Sequence, residues 1–311
     1  MKKIWSLVIV MSLGMIMAGC QKQTSAATDS KEKTIEIVDS TKQKVTVPVN
    51  AKKIVVFDSS LLDTVDALGE GDKVIGVPVK NLPTYLKQYG DRESVGGVKE
   101  PDLEKINALK PDLILIASRQ ADFKDELAKI APTVYLATDT KDSWNSAQKN
   151  IETLASLFGK ESEAKEKIAK IQTSIDALKA KDQALNARSL VVMTNENSLS
   201  AFGPGSRYGI VYDTFGLTPV DETLEPSTHG SSISYEYLLE KNPDYIFVVD
   251  RTKAIGGDQS TTNLADNALV KQTHAGKNQH VITLDPQVWY LAGSGLESLP
   301  IMIDEVSKGL N

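Results

Sequence analysis

From Lys52 onward, short apolar runs alternate with longer stretches whose apolar positions recur at helical spacing. Ile54-Val55-Val56-Phe57 is a continuous apolar run, the pattern of a strand buried on both faces. Asp58-Ser59-Ser60 supplies cap residues for a helix over Leu61 to Leu68, which stops at Gly69. Val74 to Val77 reads as a strand, Leu103 to Leu109 as a helix ended by Pro111, and Leu113 to Ala117 as a strand. Phe123 to Ile130 reads as a helix and Val134 to Leu136 as a strand. This rhythm predicts an α/β lobe with a parallel sheet.

Between Ser143 and about Leu185 the strand signal almost disappears. Lys, Glu, Ala, Ile and Leu dominate, with Ile168, Ile171, Ile175 and Leu178 at helical spacing. Gly159 is expected to divide the stretch, and the second helix, from about Ser162 to Ala184, would reach roughly 34 Å at 1.5 Å per residue. A coiled coil fits less well, because the apolar stripe spans too few heptads. The α/β pattern then restarts with Leu190 to Met193, Leu199 to Phe202, a helix at Ile210 to Phe215, Tyr245 to Val249, and Val281 to Leu284. The pattern predicts a lobe over 34–158, a linking helix over 159–187 and a second lobe over 188–311.

The two lobes echo each other. A Glu stands seven residues before Pro111-Asp112 (Glu104) and before Pro243-Asp244 (Glu236). A short helix lies between, the Pro-Asp marks a turn, and an apolar strand follows.

The N-terminus changes the picture. Lys2 and Lys3 precede an apolar run from Ile4 to Ala18, broken only by Ser6, Ser12 and Gly14. The run is shorter than the roughly 20 residues of a spanning helix, and with small residues at its end it reads as a secretory signal over 1–19. Met17-Ala18-Gly19-Cys20 matches a lipobox, with Met in place of the usual Leu. An ordinary cleaved signal with a chance cysteine is the alternative. Cys20 is the one cysteine of the chain. It is expected to carry the lipid, palmitate included, that anchors the protein to the outer face of the cell membrane; stable anchoring takes more than one acyl chain. Residues 20–33 are polar and aperiodic, as in a flexible tether. No internal disulfide is available, so stability must come from core burial. A net charge of −6 argues against nucleic acid as partner.

Basic residues are mostly lysine, and only five are arginine. Three of those five stand just past strand ends: Arg119 after Leu113–Ala117, Arg251 after Tyr245–Val249, and Arg207 in the Gly203-Pro204-Gly205-Ser206-Arg207 loop after Leu199–Phe202. Ligands of open α/β sheets bind at that edge, and arginine presents a fixed fork of donors suited to planar oxyanions. Surface pairing with acids is the alternative, with Asp250 available to Arg251. Lys80, after Val74–Val77, offers a further positive charge. His229, in a polar loop, and Tyr290, beside Trp289, carry groups able to ligate Fe(III). His274 and His280 are expected to be solvated. The chain has no Walker-type loop, no His-Glu-x-x-His and no Gly-x-Ser-x-Gly, so no catalytic machinery is visible. Three histidines and one cysteine do not make a structural zinc site.

The motifs Lys99-Glu100-Pro101-Asp102, Ala117-Ser118-Arg119-Gln120, Ser200-Ala201-Phe202-Gly203-Pro204, Ser206-Arg207-Tyr208-Gly209, Ser227-Thr228-His229-Gly230, Asn242-Pro243-Asp244-Tyr245 and Trp289-Tyr290-Leu291 carry a resemblance. Over residues 34–311 the chain resembles the siderophore-binding lipoproteins of ABC importers. These are the class III, helical-backbone substrate-binding proteins, and the chain is most similar to the catecholate, petrobactin-binding type. The resemblance implies two Rossmann-like α/β lobes joined by one long rigid helix, with the ligand cleft between them. It implies that Arg119, Arg207 and Arg251 surround a ferric catecholate, with Trp289 and Tyr290 against the catechol rings. His229 and Tyr290 would ligate iron when a tetradentate siderophore leaves two positions open. Glu104 and Glu236 would dock, one per lobe, on an ABC permease dimer served by its ATPase. The protein would be a monomer and not an enzyme. It would have no intrinsic cofactor, its ligand being the Fe(III)–siderophore complex. Haem, cobalamin or a hydroxamate siderophore on the same fold remains the alternative cargo; an exported esterase or a structural adhesin would be a different class of protein.

Overall fold

The structure, a computed structural model, describes residues 33–80, 82–257 and 263–310. The expected signal segment, Cys20 and the tether up to residue 32 lie outside the described residues.

Strands β1 (Thr34–Val38) and β2 (Lys44–Pro48) form an antiparallel hairpin, a two-stranded sheet of its own among the described residues. Ile37 and Val47 turn inward from it and are buried. The first lobe then builds a sheet from β3 (Ile54–Val56), β4 (Val74–Val77), β5 (Glu93–Ser94), β6 (Leu113–Ile116) and β7 (Thr133–Tyr135). The order is β5-β4-β3-β6-β7 and every pairing is parallel. Every residue of β3 and β6 is buried, as their unbroken apolar runs require of strands covered on both faces. Helices α1 (Ser59–Ala67), α2 (Leu103–Leu109) and α3 (Lys124–Leu127) connect them. The last corrects an expectation: the helix expected over Phe123–Ile130 is a 3₁₀ turn, Ser118–Phe123, followed by a single α turn. The amides of Ile130 and Ala131 both return to the Leu127 carbonyl, at 2.9 and 3.2 Å, closing the helix just before Pro132.

Helix α4 (Ser143–Phe158) ends at Gly159, whose φ of +66° makes a left-handed cap. Helix α5 (Glu161–Leu185) has 25 residues and extends roughly 38 Å. It buries one stripe, Ala164, Ile168, Ile171, Ile175 and Leu178, which joins a core cluster containing side chains of both lobes. The linker is therefore packed along its length rather than standing free in solvent.

The second lobe comprises β8 (Arg188–Asn195), β9 (Ser198–Phe202), α6 (Ile210–Asp213), β10 (Thr218–Pro219), β11 (Ser231–Ile233), α7 (Tyr235–Lys241), β12 (Tyr245–Asp250), α8 (Arg251–Ala254), α9 (His274–Lys277), β13 (Val281–Thr283), α10 (Pro286–Leu291) and α11 (Ser298–Gly309). Its order is β11-β9-β8-β12-β13, with β10 also on β8. The β8–β12–β13 half is parallel, whereas β8–β9 and β9–β11 are antiparallel.

The sequence echo has a structural cause. Asp112 accepts from the amides of Lys52 and Lys53, both at 2.9 Å, just before the neighbouring strand β3. Asp244 accepts at 2.8 Å from the amide of Arg188, the first residue of the neighbouring strand β8. In each lobe a left-handed cap, Lys110 or Asn242, ends the preceding helix. The Pro-Asp pair then ties the central strand to its neighbour.

A second connection crosses between the lobes near α11. The buried Asp63 of α1 accepts from the amides of Glu297 (2.7 Å) and Ser298 (2.8 Å) at the start of α11, and from the Tyr85 hydroxyl (3.0 Å). Gln287 of α10 accepts from the amide and hydroxyl of Thr84 at 3.0 and 2.9 Å.

Candidate ligand-binding cleft

Turns, loops and a helix from the two lobes meet at one cleft. It is partly open to solvent and is lined from the first lobe by Asp58, Ser60, Arg119, Thr138 and Thr140. The second lobe contributes Arg207, Tyr208, Trp289 and Tyr290.

Each side chain is held by local structure. Arg119 is the second residue of the 3₁₀ turn after β6, where Gln120 accepts from the Ala117 amide at 3.1 Å. Arg207 lies in a loop that needs the left-handed Gly205 (φ +67°), whose amide is held by Asp213 Oδ2 at 2.7 Å. Arg251 is the first residue of α8. Asp250 does not serve as its partner there: it caps that helix by accepting from the Lys253 amide at 3.0 Å. Tyr290 rides on α10, capped by Asp285, which accepts from the amides of Gln287 (2.9 Å) and Val288 (3.1 Å). Glu305 of α11 then fastens α10, accepting from the Asp285 amide at 2.9 Å and the Trp289 indole at 2.7 Å.

The three arginines converge on Tyr290. Arg119 and Arg207 both donate to its backbone carbonyl, at 2.9 and 2.6 Å, one from each lobe. Arg251 donates to its hydroxyl at 2.9 Å and to Asn195 Oδ1 at 2.7 Å. The Arg207 guanidinium lies 4.2 Å from the ring centroid, with Arg251 at 5.6 Å and Arg119 at 5.8 Å. Among the described residues, none of the three has a carboxylate within 4 Å; the one arginine that does is Arg188. Burial pushes the Tyr290 phenol up, but the Arg251 hydrogen bond and the charges of Arg207, Arg251 and Arg119 outweigh it and leave the group below its ordinary value. Tyr208 behind it goes the other way: burial raises it to about 12.

Other expected site residues stand apart. Arg251 acts on Tyr290 from outside the cleft lining. Trp289 belongs to the wall but is only 2 % exposed, with its indole N–H committed to Glu305. Lys80 is exposed and lines a smaller adjoining recess with Asp58, Arg119 and Leu291. His229 is exposed and outside the lining, its amide donating to Ser227 Oγ at 3.1 Å. No cluster of three or more metal-binding side chains occurs among the described residues. Glu104 and Glu236 are exposed in the first turns of α2 and α7. His274 is about half exposed and pairs with Asp244 at 3.1 Å. His280, expected in solvent, is half-buried: its ring stacks on Tyr245 at 4.3 Å because β13 starts beside β12.

Asp58, Ser60, Thr138 and Thr140 were not legible as cleft residues. Asp58 announces itself only as a helix cap, which it also is: Oδ1 accepts from Ser60 (2.9 Å) and Leu61 (3.3 Å). Burial pushes its carboxyl up, and the Arg119 charge and the two amides pull it back part of the way. Its place after a strand end was the available signal.

Comparison with known proteins agrees with this architecture. Residues 54–288 match the family described as Periplasmic binding protein. The petrobactin-binding protein YclQ of Bacillus subtilis (strain 168) is 44% identical over 100% of this chain and 99% of its own. The ferric-anguibactin-binding protein FatB of Vibrio anguillarum is 32% identical over 97% of this chain and 96% of its own. The crystal structure of YclQ superposes with a TM-score of 0.88 at 46% identity, covering 90% of this chain and 99% of that one.

Proposed function

The chain belongs to the periplasmic binding protein family, and from that premise we propose that its cleft captures an anionic ferric catecholate siderophore for delivery to an ABC importer. It is a binding protein of transport and not an enzyme. The observation that carries the ligand reading is the pair Arg119 and Arg207. Both line the cleft, neither has a carboxylate within 4 Å among the described residues, and both spend a donor on a neutral carbonyl.

A ferric tris-catecholate carries three negative charges. Its anionic oxygens compete with the neutral Tyr290 carbonyl for the guanidinium N–H groups, and a bond with opposite charges on donor and acceptor is stronger than one to a neutral acceptor. A partly dry cleft strengthens the attraction further. Arg207 and Arg119 then grip the chelate from opposite lobes, while Arg251 holds the Tyr290 hydroxyl in place. The iron is cargo. The depressed Tyr290 phenol suits it as a ferric ligand when the siderophore leaves positions open; His229 would join only after its loop moves inward. The crossings between the lobes, among them α5 and the Asp63 contact with α11, favour modest closure on binding.

Glu104 and Glu236 occupy matching first turns of α2 and α7, and they are the proposed contacts with the permease dimer and its ATPase. Lipid attachment at Cys20 would hold the monomeric receptor at the outer face of the membrane, within reach of that permease.

The test is fluorescence quenching of the purified protein with ferric petrobactin, a ferric hydroxamate and haemin. Nanomolar quenching by the catecholate alone, weakened in Arg207→Ala, is the expected result. Tight haemin or hydroxamate binding with no catecholate response would overturn the ligand class while leaving the transport role.

A further inference from the structure

An anion-binding cleft gains nothing from a carboxylate in its wall, yet Asp58 lines this one. Capping does not explain the charge. The cap uses Oδ1 alone, and Asn or Ser caps a helix about as well as Asp. Nor does an ion pair explain it: among the described residues no Lys or Arg nitrogen comes within 4 Å of Asp58. Arg119 acts on it through space, and burial makes its ionised form costly. Facing a ligand that is anionic throughout, Asp58 would be a like-charge penalty and would oppose the arginines it sits among. Asp58 also borders a narrow recess beside the main cleft, too small for a ligand arm, lined by Leu62, Val77, Pro78 and Leu82 together with Lys80 and Arg119. The carboxylate thus stands in the wall of a cleft whose other charged lining residues are Arg119 and Arg207, the arrangement expected if a ligand carries both signs of charge.

Building on the siderophore reading, we propose that Asp58 determines specificity by receiving a protonated amine on the organic frame of an otherwise anionic ferric chelate. The arginines hold the catecholate oxygens, and Asp58 accepts from the ammonium carried between or beside them. A chelate with a neutral or carboxylate-bearing frame leaves Asp58 unpaired against negative charge and is rejected by the same group that rewards the amine. The cleft is therefore bipolar, and its selectivity lies in the first lobe, where Arg119 and Asp58 adjoin.

Two synthetic bis-catecholate chelators of equal length, one linked through a secondary amine and one through a methylene, test this as their ferric complexes. The wild-type protein is expected to bind the amine-linked complex about tenfold more tightly. Asp58→Asn, which keeps a side-chain oxygen to cap α1, is expected to erase that preference: the amine-linked complex weakens about tenfold, while the methylene-linked complex is unchanged or tighter. Asp58→Ser, a second capping residue, should do the same, and melting curves of both variants report whether α1 remains in place. An equal change for both complexes, or none for either, overturns the assignment of Asp58 and leaves the siderophore function standing. Failure of both complexes to bind the wild-type protein overturns that function and this assignment with it.

Discussion

The two lobes begin from the same local grammar and end with different chemistry. In each, a short helix leads through a Pro-Asp turn into a fully buried central strand, and an arginine follows its carboxyl end. The five-stranded sheet of the first lobe is all-parallel, and that lobe offers the cleft one arginine, a neighbouring carboxylate and several hydroxyls. The second turns β8 back on itself through β9. That hairpin creates a further strand end and with it Arg207, and the chain's return through α10 adds Tyr290. The repeated motif fixes where an arginine stands; the topology around it decides what that arginine meets. Arg119 reaches across to a carbonyl of the other lobe, whereas Arg251 stays behind the hydroxyl of the same tyrosine.

If the second lobe carries most of the grip, removing Arg207 should cost the most. Arg207→Ala is expected to weaken ferric catecholate binding about 100-fold, near 3 kcal/mol, as for truncation of a desolvated charged partner. Quenching titrations at fixed salt measure it. A loss no greater than that of Arg119→Ala would make the two lobes equal partners.

The connection between lobes is tested next at Asp63, which burial raises to about 6 despite the hydrogen bonds it accepts. The native state then holds a proton on this group that the unfolded chain has released, so Asp63 makes stability fall as pH rises from about 4 to about 6. In Asp63→Asn that contribution is gone, and one of the amides of Glu297 and Ser298 faces an NH₂ instead of an oxygen. The variant should be less stable by about 2 kcal/mol at pH 4, and its deficit should shrink toward pH 7. Urea unfolding across this range reads it; a deficit independent of pH would mean that the carboxyl is already ionised in the folded protein.

Arg119→Ala is expected to cost less than Arg207→Ala, about tenfold in affinity, because Asp58 offsets part of its field. Pairing it with Asp58→Asn in a double-mutant cycle measures that offset. The smallest effect on binding belongs to Glu104→Ala and Glu236→Ala. Quenching by the ferric catecholate should be unchanged in both, while iron uptake by cells carrying either variant falls; unchanged uptake would remove these glutamates from the permease contact.

Elements whose identity is set by neighbours in the chain could be read without a structure. The Gly159 break, the stripe from Ile168 to Leu178, and the runs of β3, β6 and β12 follow from local sterics and the burial of apolar periods. So did the placement of Arg119, Arg207 and Arg251 after strand ends. The β1–β2 hairpin was missed because its alternation adjoins a polar, aperiodic stretch. Helix α11 was obscured by Pro300, which a helix tolerates in its first turn. Convergence on Tyr290, the exclusion of His229 from the cleft lining and the presence of Asp58 within it depend on segments far apart in the chain. Arg119 and Tyr290 are 171 residues apart, and no local pattern encodes a hydrogen bond across that span. The sequence determined the two lobes, their linking helix and the positions of the charges. Only packing decided which charges face one another, because that depends on how the lobes close over α5 and on the contact that Asp63 makes with the start of α11.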